Sequence, residues 1–185
     1  MNKINLLLGL SLVAFSFNGA AHNLQINNNL PAVAVNQDGE LKLDGDNVQY
    51  QSWQSSQLTG KVRIIHHFAG RSAVKEKNDA LMAAIKTANF DRNKYQTTTI
   101  VNADDAVIAT GVFVKSSTED GKKANPHSQV VLDQKSAVKN AWALKEKESA
   151  IIVLDKKGKV QFVAEGKLSD NQVKDVIGLV EGLLK

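Results

Sequence analysis

The chain has 185 residues, 43% of them hydrophobic and 23% charged, which is typical of a single globular domain with a substantial core. Its formal net charge is only +4, and basic and acidic residues are interspersed, so the composition argues against a nucleic-acid-binding protein. Because the chain contains no cysteine, disulfide bonds and all thiol chemistry are excluded.

The N-terminus is typical of a secretory signal peptide. Lys3 supplies a positive charge, residues 6–17 form a 12-residue apolar core, and Gly19 and Ala21 are the small residues that precede a cleavage site. A membrane-spanning helix needs ~20 apolar residues, and this run is shorter. We therefore predict a signal peptide over residues 1–21, periplasmic localisation, and a mature chain that forms one domain over residues 22–185 without a membrane span.

The first predicted elements of the mature chain are β-strands. Residues 32–35 and 40–43 have strand patterns and are separated by turn-forming residues at 36–39, and residues 48–53 also have strand propensity. This pattern predicts an N-terminal β-hairpin.

A βαβ unit is predicted next. The apolar run at residues 62–68 is typical of a buried central strand, and the β-branched run at residues 97–102 predicts a second one. Between them, Ser72 is placed to cap a helix that ends at Asn89. The helix has one apolar face, formed by Val74, Leu81, Ile85 and Ala88.

Beyond the second central strand, Asp104 is predicted to cap a helix that runs through Val107, Ile108 and Phe113. Residues 119–128, with Gly121 and Pro126, are predicted to form a loop.

The remaining elements are a strand, a short helix, a hairpin and a terminal helix. The strand is predicted at residues 130–133 and the short helix at 136–144. Two apolar runs flank the turn-forming residues 155–158 and predict a β-hairpin. Ser169 and Gln172 form a capping box that predicts the start of an amphipathic C-terminal helix.

This order of elements resembles the thioredoxin-like fold. The resemblance is also carried by Pro31, the Asp38-Gly39 turn, the motif Leu58-x-Gly60-Lys61-Val62, Phe68-Ala69, and the hairpin Ile152-Val153-Leu154-Asp155-x-x-Gly158. It implies an α/β protein with three α/β/α layers, a mixed central β-sheet and an N-terminal β-hairpin extension.

The resemblance places Ser72 and Lys75 at the two positions of the Cys-x-x-Cys pair, and Ser149 at the position of the cis-proline that faces this pair. A cis bond before a residue other than proline costs about 3–4 kcal/mol, so we expect a trans bond at Ser149. Both halves of the redox site are therefore altered, and thiol-disulfide oxidoreductase activity is not expected.

The chain also resembles, almost end to end, the YtfJ family of small exported bacterial proteins, a family without an established activity. The matching motifs are GKVR at residues 60–63, AGR at 69–71, KEKN at 75–78, YQTTTIVN at 95–102, DDA at 104–106, FVKSS at 113–117 and SAIIVLDK at 149–156.

Arg71, Ser72, Lys75 and Ser149 are the predicted ligand- or partner-binding residues. The first three lie where a loop meets a helix N-terminus, and such an end favours bound anions. The alternative is that Ser72 is only a helix cap, with Arg71 and Lys75 solvated or paired to the acidic residues that follow.

The histidines indicate a functional site less clearly than the loop residues do. His66 and His67 are adjacent on a strand, so they should point to opposite faces of the sheet and cannot chelate one metal ion together. His22 would become the N-terminal residue after cleavage, and its α-amine and ring nitrogen could then hold Cu(II), with His127 as a further ligand. An ordinary terminus without metal is the simpler interpretation, and no cofactor motif is predicted.

Asp104 and Asp105 could form a carboxylate pair in a crevice, or could simply place negative charge at a helix N-terminus.

Three functions remain open from the sequence. The first is a periplasmic, non-redox thioredoxin-like binding or accessory module, whose partner is another periplasmic protein or a small anionic ligand. The second is a hydrolase-type enzyme that uses Ser72 as nucleophile and His66 or His67 as base. The third is copper binding through His22.

Overall fold

The computed structural model describes residues 22–185, so the predicted signal peptide lies outside the described residues. Within the described part of the chain, no helix is long and apolar enough to cross a membrane. The strands are β1 (Ala34–Asp44), β2 (Asn47–Gln54), β3 (Val62–Ala69), β4 (Tyr95–Asn102), β5 (Gln129–Asp133), β6 (Ser149–Leu154) and β7 (Val160–Glu165). The helices are α1 (Ser72–Lys75), α2 (Asp79–Ala88), α3 (Gly111–Ala124), α4 (Ala137–Ala141) and α5 (Asp170–Leu183).

The strands form one mixed sheet in the order β2-β1-β5-β4-β3-β6-β7. The central strands β3, β4 and β5 are parallel, and β6 pairs with β3 in the antiparallel sense. The β1–β2 hairpin extends the sheet on one side by pairing with β5, and β7 closes the other side.

The two faces of the sheet are covered by different elements. Alternate residues of β3 point to opposite faces, so Ile64 packs under α2 and α5 while Ile65 packs on the other side against Trp142, next to α4. Phe68, on the same face as Ile64, packs with Val114 of α3. The helices α2, α3 and α5 therefore form one outer layer, and α4 with the N-terminal segment forms the other. The predicted α/β/α architecture is confirmed.

The N-terminal hairpin differs from the prediction in the position of its turn. The chain does not reverse at residues 36–39 but continues through them as part of β1, and the turn lies at Gly45 and Asp46. The Asp38-Gly39 pair instead forms a bulge, where the register between β1 and β2 shifts. Gly39 has a φ of +78°, and a Cβ atom there would lie 2.2 Å from the carbonyl oxygen of Gln51, so only glycine fits.

The first predicted helix is interrupted. A 3₁₀ turn at Glu76–Asn78 separates α1 from α2, and Asn78 leaves the helical conformation with φ −113° and ψ 25°. The capping prediction was also wrong, because Arg71 occupies the N-cap position and Ser72, the first helical residue, makes no capping hydrogen bond. The break follows from the side chain of Asn78, which is drawn inward to hydrogen-bond partners described below.

After β4, the predicted positions of the helix and of the loop were both wrong. Ala103–Asp105 form only a 3₁₀ turn, Val107 and Ile108 lie outside any helix, and α3 begins at Gly111. The helix then continues through residues 119–124, which were predicted to be loop. Lys122 stabilises this extension because its Nζ donates to the carbonyl oxygens of Pro126 and Ser128, 2.8 and 2.7 Å away.

The elements after α3 agree better with the predictions. The helix predicted at residues 136–144 is confirmed in the shorter form of α4, whose Val138 amide donates to the Asp133 carboxylate at 2.8 Å. The β6–β7 hairpin is confirmed. The C-terminal helix is confirmed as well, with the capping box of Ser169 and Gln172.

Candidate functional site

The loop before α1, where the sequence resemblance places the site of thioredoxin-like proteins, leaves the end of β3 between two neighbouring strands. The amide of Ala69 donates to the carbonyl of Glu148, just before β6, and that of Gly70 donates to the carbonyl of Asn102, at the end of β4. A Cβ atom at Gly70 would lie 3.0 Å from a methyl group of Val114, so α3 packs closely over the loop. The loop is therefore fixed on both sides, and α1 begins in a defined position.

Ser72 and Lys75 are both exposed on α1, and neither side chain has a hydrogen-bond partner within residues 22–185. Within residues 22–185, Ser72 makes no hydrogen bond to an imidazole, and Nε2 of His66 lies instead 3.1 Å from the hydroxyl oxygen of Ser149. The pair of Ser72 and a histidine that a hydrolase-type mechanism would need is therefore not formed.

Arg71 is hydrogen-bonded to backbone carbonyl groups and not paired with the acidic residues that follow it. Its Nε donates to the carbonyl oxygen of Asp105 at 2.9 Å, and its Nη2 donates to that of Ala106 at 3.4 Å. The guanidinium group thus ties the loop before α1 to the 3₁₀ turn after β4. It does not pair with Glu76 or Asp79.

Ser149 is buried, with 1% of its surface exposed, and the bond that precedes it is trans as expected. Its Oγ atom accepts a hydrogen bond from Nδ2 of Asn78 at 2.9 Å and lies 3.1 Å from Nε2 of His66. Since Asn78 Nδ2 can only donate, the serine hydroxyl is free to donate its own proton to the histidine. The structure therefore does not bring Ser149 to the surface with Ser72 and Lys75, but buries it against Asn78 and His66.

Asn78 is a residue that sequence reasoning missed. Its Nδ2 also donates to the carbonyl oxygen of Gly166, and its Oδ1 accepts from the amide of Leu168, both at 3.0 Å. Only 2% of its surface is exposed. The available signal was an asparagine inside a predicted helix, where this residue type is unfavourable because its side chain competes for backbone hydrogen bonds.

His66 and His67 do point to opposite faces of the sheet. His66 packs against the ring of Phe68, with the centroids 4.7 Å apart, and burial together with the charge of Lys75 lowers its pKa to about 4. Burial, followed by the effects of His66 and Lys139, lowers the pKa of His67 to about 3. Both rings are therefore neutral at pH 7, and the Nε2 atom of His67 has no partner among the described residues.

The structure does not bring His22 and His127 together. The segment at His22 lies on the α4 side of the sheet, because the next residue, Asn23, donates its amide to the carbonyl of Trp142 and Leu24 enters the core there. His127 is exposed after α3, on the opposite side. Residues 22–185 contain no group of three or more histidine or acidic side chains arranged to hold a metal ion.

The two adjacent aspartates act as acceptors that join loops. Asp104 Oδ2 accepts from the hydroxyl of Ser136 at 2.8 Å, and Asp105 Oδ2 accepts from the amide of Lys147 at 2.5 Å. They lie in the 3₁₀ turn, not at the N-terminus of a long helix.

A group of exposed apolar side chains follows this 3₁₀ turn, and we call it the apolar patch. It comprises Val107, Ile108, Val112 and Phe113, with 51%, 95%, 81% and 74% of their surfaces exposed. Arg71 connects the patch to the loop before α1, since the guanidinium group holds the residues that immediately precede Val107. The sequence predicted a helix running through three of these residues, and only Phe113 of the three lies in one.

The protein is similar to known proteins both in its three-dimensional structure and in its amino-acid sequence. A putative protein disulfide isomerase from Bacteroides thetaiotaomicron has a similar structure, with a TM-score of 0.60 at 12% identity, covering 88% of this chain and 92% of that one. A likeness at this level of identity shows the thioredoxin-like fold alone. An uncharacterized protein of Haemophilus influenzae is 58% identical over 173 residues, covering 94% of each chain.

A second relative is the uncharacterized protein YtfJ of Escherichia coli K12, which is 43% identical over 179 residues, covering 97% of each chain. The model of one protein family, described as bacterial protein of unknown function (YtfJ_HI0045), matches residues 24–183. The chain therefore belongs to the YtfJ_HI0045 family.

Proposed function

We propose that this protein is an exported, non-redox thioredoxin-like module that binds another periplasmic protein. The observation that carries the proposal is the apolar patch beside the loop before α1. Four large apolar side chains exposed together on one segment are uncommon on a soluble surface and are typical of an interaction site. The proposed location follows from the signal peptide predicted over residues 1–21.

The binding surface consists of the apolar patch and the loop at residues 71–75. In this arrangement Arg71 fixes the two parts relative to each other through its hydrogen bonds to Asp105 and Ala106. Lys75 and Lys147 are exposed cations at the edge of this surface, and within residues 22–185 neither has a carboxylate oxygen within 4.0 Å. The partner is therefore a protein that presents an apolar segment flanked by carboxylates.

The substituted redox positions support a binding role over exchange chemistry. With no cysteine in the chain, a bound protein cannot be held through a mixed disulfide. Binding must rest on noncovalent contacts, and the patch supplies the apolar area for them.

The proposal is tested by photo-crosslinking in the bacterium that encodes the protein. A photoreactive residue at position 108 or 113 should give one discrete adduct, and the same residue at Ile26, which is 44% exposed on another part of the surface, serves as the matched control. The partner identified by mass spectrometry is then purified and should bind the wild-type protein but not Phe113→Ser or Arg71→Ala/Lys75→Ala.

Two outcomes would overturn the proposal. One is the absence of an adduct specific to positions 108 and 113, and the other is unchanged binding of the purified partner by the patch variants. Mass spectrometry of the mature protein checks the location in the same experiment, because cleavage after Ala21 must leave His22 as the first residue.

A further inference from the structure

A groove of about 720 Å³ runs between α2 and α3 on the face of the sheet that these helices cover. Its floor is formed by the central strands, with Phe68 and His66 on β3, Thr99 and Val101 on β4, and Val130 on β5. This volume is within the range of cavities that hold one small-molecule ligand, which is roughly 300–1,000 Å³. Neither the apolar patch nor the substituted redox positions explain the groove.

The groove exists because the two helices present small residues to each other. Ser117, Gly121 and Ala124 recur at helical spacing along one side of α3, and Ala83 faces them from α2. As a result, Thr99 remains partly exposed although it lies on a central strand, where helices would normally cover it. A Cβ atom added at Gly121 would meet no atom within 4 Å, so the space beside α3 is open.

The charged side chains that line the groove are all positive. Lys61, Lys75, Lys86 and Arg92 line it, and none of its lining residues is aspartate or glutamate. Within residues 22–185, none of these four cations has a carboxylate oxygen within 4.0 Å. Elsewhere on the described surface, lysines do form such pairs, as Lys77 does with Glu148. Lys61 Nζ donates to the carbonyl oxygen of Arg92 at 2.7 Å, and the side chains of the other three cations have no hydrogen-bond partner in the described part of the chain, so they are available to an external anion.

We propose that this groove binds a small amphiphilic anion, with a carboxylate or phosphate head and an apolar body. The cations hold the head, since a low-dielectric wall strengthens their attraction for a negative group. The apolar body lies on Phe68, Val101 and Val130, with Met82 and Phe90 beside it. No residue of the apolar patch lines the groove, and the site shares only Lys75 with the proposed protein-binding surface.

The probes are dodecanoate and dodecyl phosphate, titrated below their micelle concentrations and followed by calorimetry with the purified mature protein. We expect saturable binding of one molecule per chain. Dodecyltrimethylammonium, which has the same apolar chain and the opposite charge, should not bind. Binding of only one anion identifies the head as carboxylate or phosphate, and binding of both means that the cations do not discriminate between them.

Two pairs of variants locate the binding. Gly121→Leu should fill the groove and weaken binding at least 10-fold, whereas Gly178→Leu, at an equally open position on α5, should not. Lys86→Glu/Arg92→Glu should also weaken binding at least 10-fold. Its control is Lys167→Glu/Lys174→Glu, which makes the same change in net charge at exposed positions outside the groove.

The proposal is overturned if neither anion binds saturably, if the cationic probe binds equally well, or if Gly121→Leu leaves binding unchanged while its thermal unfolding shows an intact fold. Failure here is distinguishable from failure of the proposed function, because Phe113→Ser should keep full affinity for the anionic probes. Likewise, Gly121→Leu should still bind the protein partner that crosslinking identifies.

Discussion

The hydroxyl oxygen of Ser149 lies 3.1 Å from Nε2 of the buried His66, at the position that the resemblance to thioredoxin-like proteins assigns to their cis-proline. With Asn78 as the third member, this contact joins β3, β6 and the break between α1 and α2. A buried polar group of this kind stabilises the fold only while every member has its partner. The region that resembles a redox site is therefore stabilised by hydrogen bonds between uncharged side chains.

Ser149→Ala should lower the free energy of unfolding by about 1–3 kcal/mol, because it leaves one N–H group of the Asn78 amide and the His66 acceptor buried without a partner. Urea denaturation followed by circular dichroism measures the change. Ser72→Ala is the matched control and should change the free energy by no more than about 0.5 kcal/mol, since its side chain is exposed and unbonded. A larger loss at Ser72 than at Ser149 would contradict the structure.

Asn78→Ala should be more damaging, by about 2–4 kcal/mol, because it removes three hydrogen bonds and leaves the amide of Leu168 without an acceptor. The double variant with Ser149→Ala should cost less than the sum of the single variants, by at least ~0.5 kcal/mol, because the two residues share one bond. The same denaturation experiment gives both numbers. Strict additivity would show that the two side chains act independently.

The stability of the protein should fall as the pH drops below 6.5. Burial depresses the pKa of His67 to about 3 in the folded state, so the unfolded state binds the extra proton first. The contribution of the neutral His67 ring to the free energy of unfolding is fully present above pH 6.5, the ordinary pKa of histidine. It is lost as the pH falls toward the pKa of the folded state, and the loss is about 2 kcal/mol at pH 5.

His67→Leu should remove this share of the pH dependence between pH 7.5 and 5, because it replaces a buried imidazole with an apolar side chain. It also removes the unpartnered Nε2 atom, so stability at pH 7.5 should be unchanged or higher. His127→Leu is the control, because this imidazole is exposed, and it should leave the pH profile as it is. An unaltered profile in His67→Leu would show that His67 is not the group responsible.

Ser72→Cys/Lys75→Cys should oxidise to an intramolecular disulfide without loss of fold. Both side chains are exposed in the first turn of α1, and helical residues three apart have Cα atoms about 5 Å apart, within the span of a disulfide. Thiol titration before and after mild oxidation measures the bond. Ser72→Cys/Lys86→Cys, with the cysteines at opposite ends of the helical segment, should keep its thiols free.

The general architecture was predictable because its signals are local and periodic. The apolar run of β3, the turn of the β6–β7 hairpin and the capping box of α5 each specify an element through adjacent residues. The resemblance carried by these motifs then predicted the layers and the mixed sheet, both of which are confirmed. The thiol-free character followed from composition alone.

The wrong predictions concern segments whose local structure depends on residues far away in the sequence. The break at Asn78 depends on partners at positions 149, 166 and 168, which lie 71 to 90 residues away. The extension of α3 depends on Lys122 reaching the carbonyl groups beyond the helix. In the site, the exposure of Ile108 and Phe113 could not be predicted, because their spacing is equally compatible with a buried helix face.

The bulge at Gly39 has a consequence for behaviour at high concentration. The bulge lies in the stretch of β1, Asp38–Glu40, that pairs with β5. Through this pairing the hairpin covers what would otherwise be an unpaired edge of the apolar central strands. The edge of the sheet is thereby moved to β2, whose sequence NVQYQSWQ is largely polar and exposed. β2 contains no charged residue and no proline, which are the features that usually keep an edge strand from pairing, so this strand is where another chain would add to the sheet.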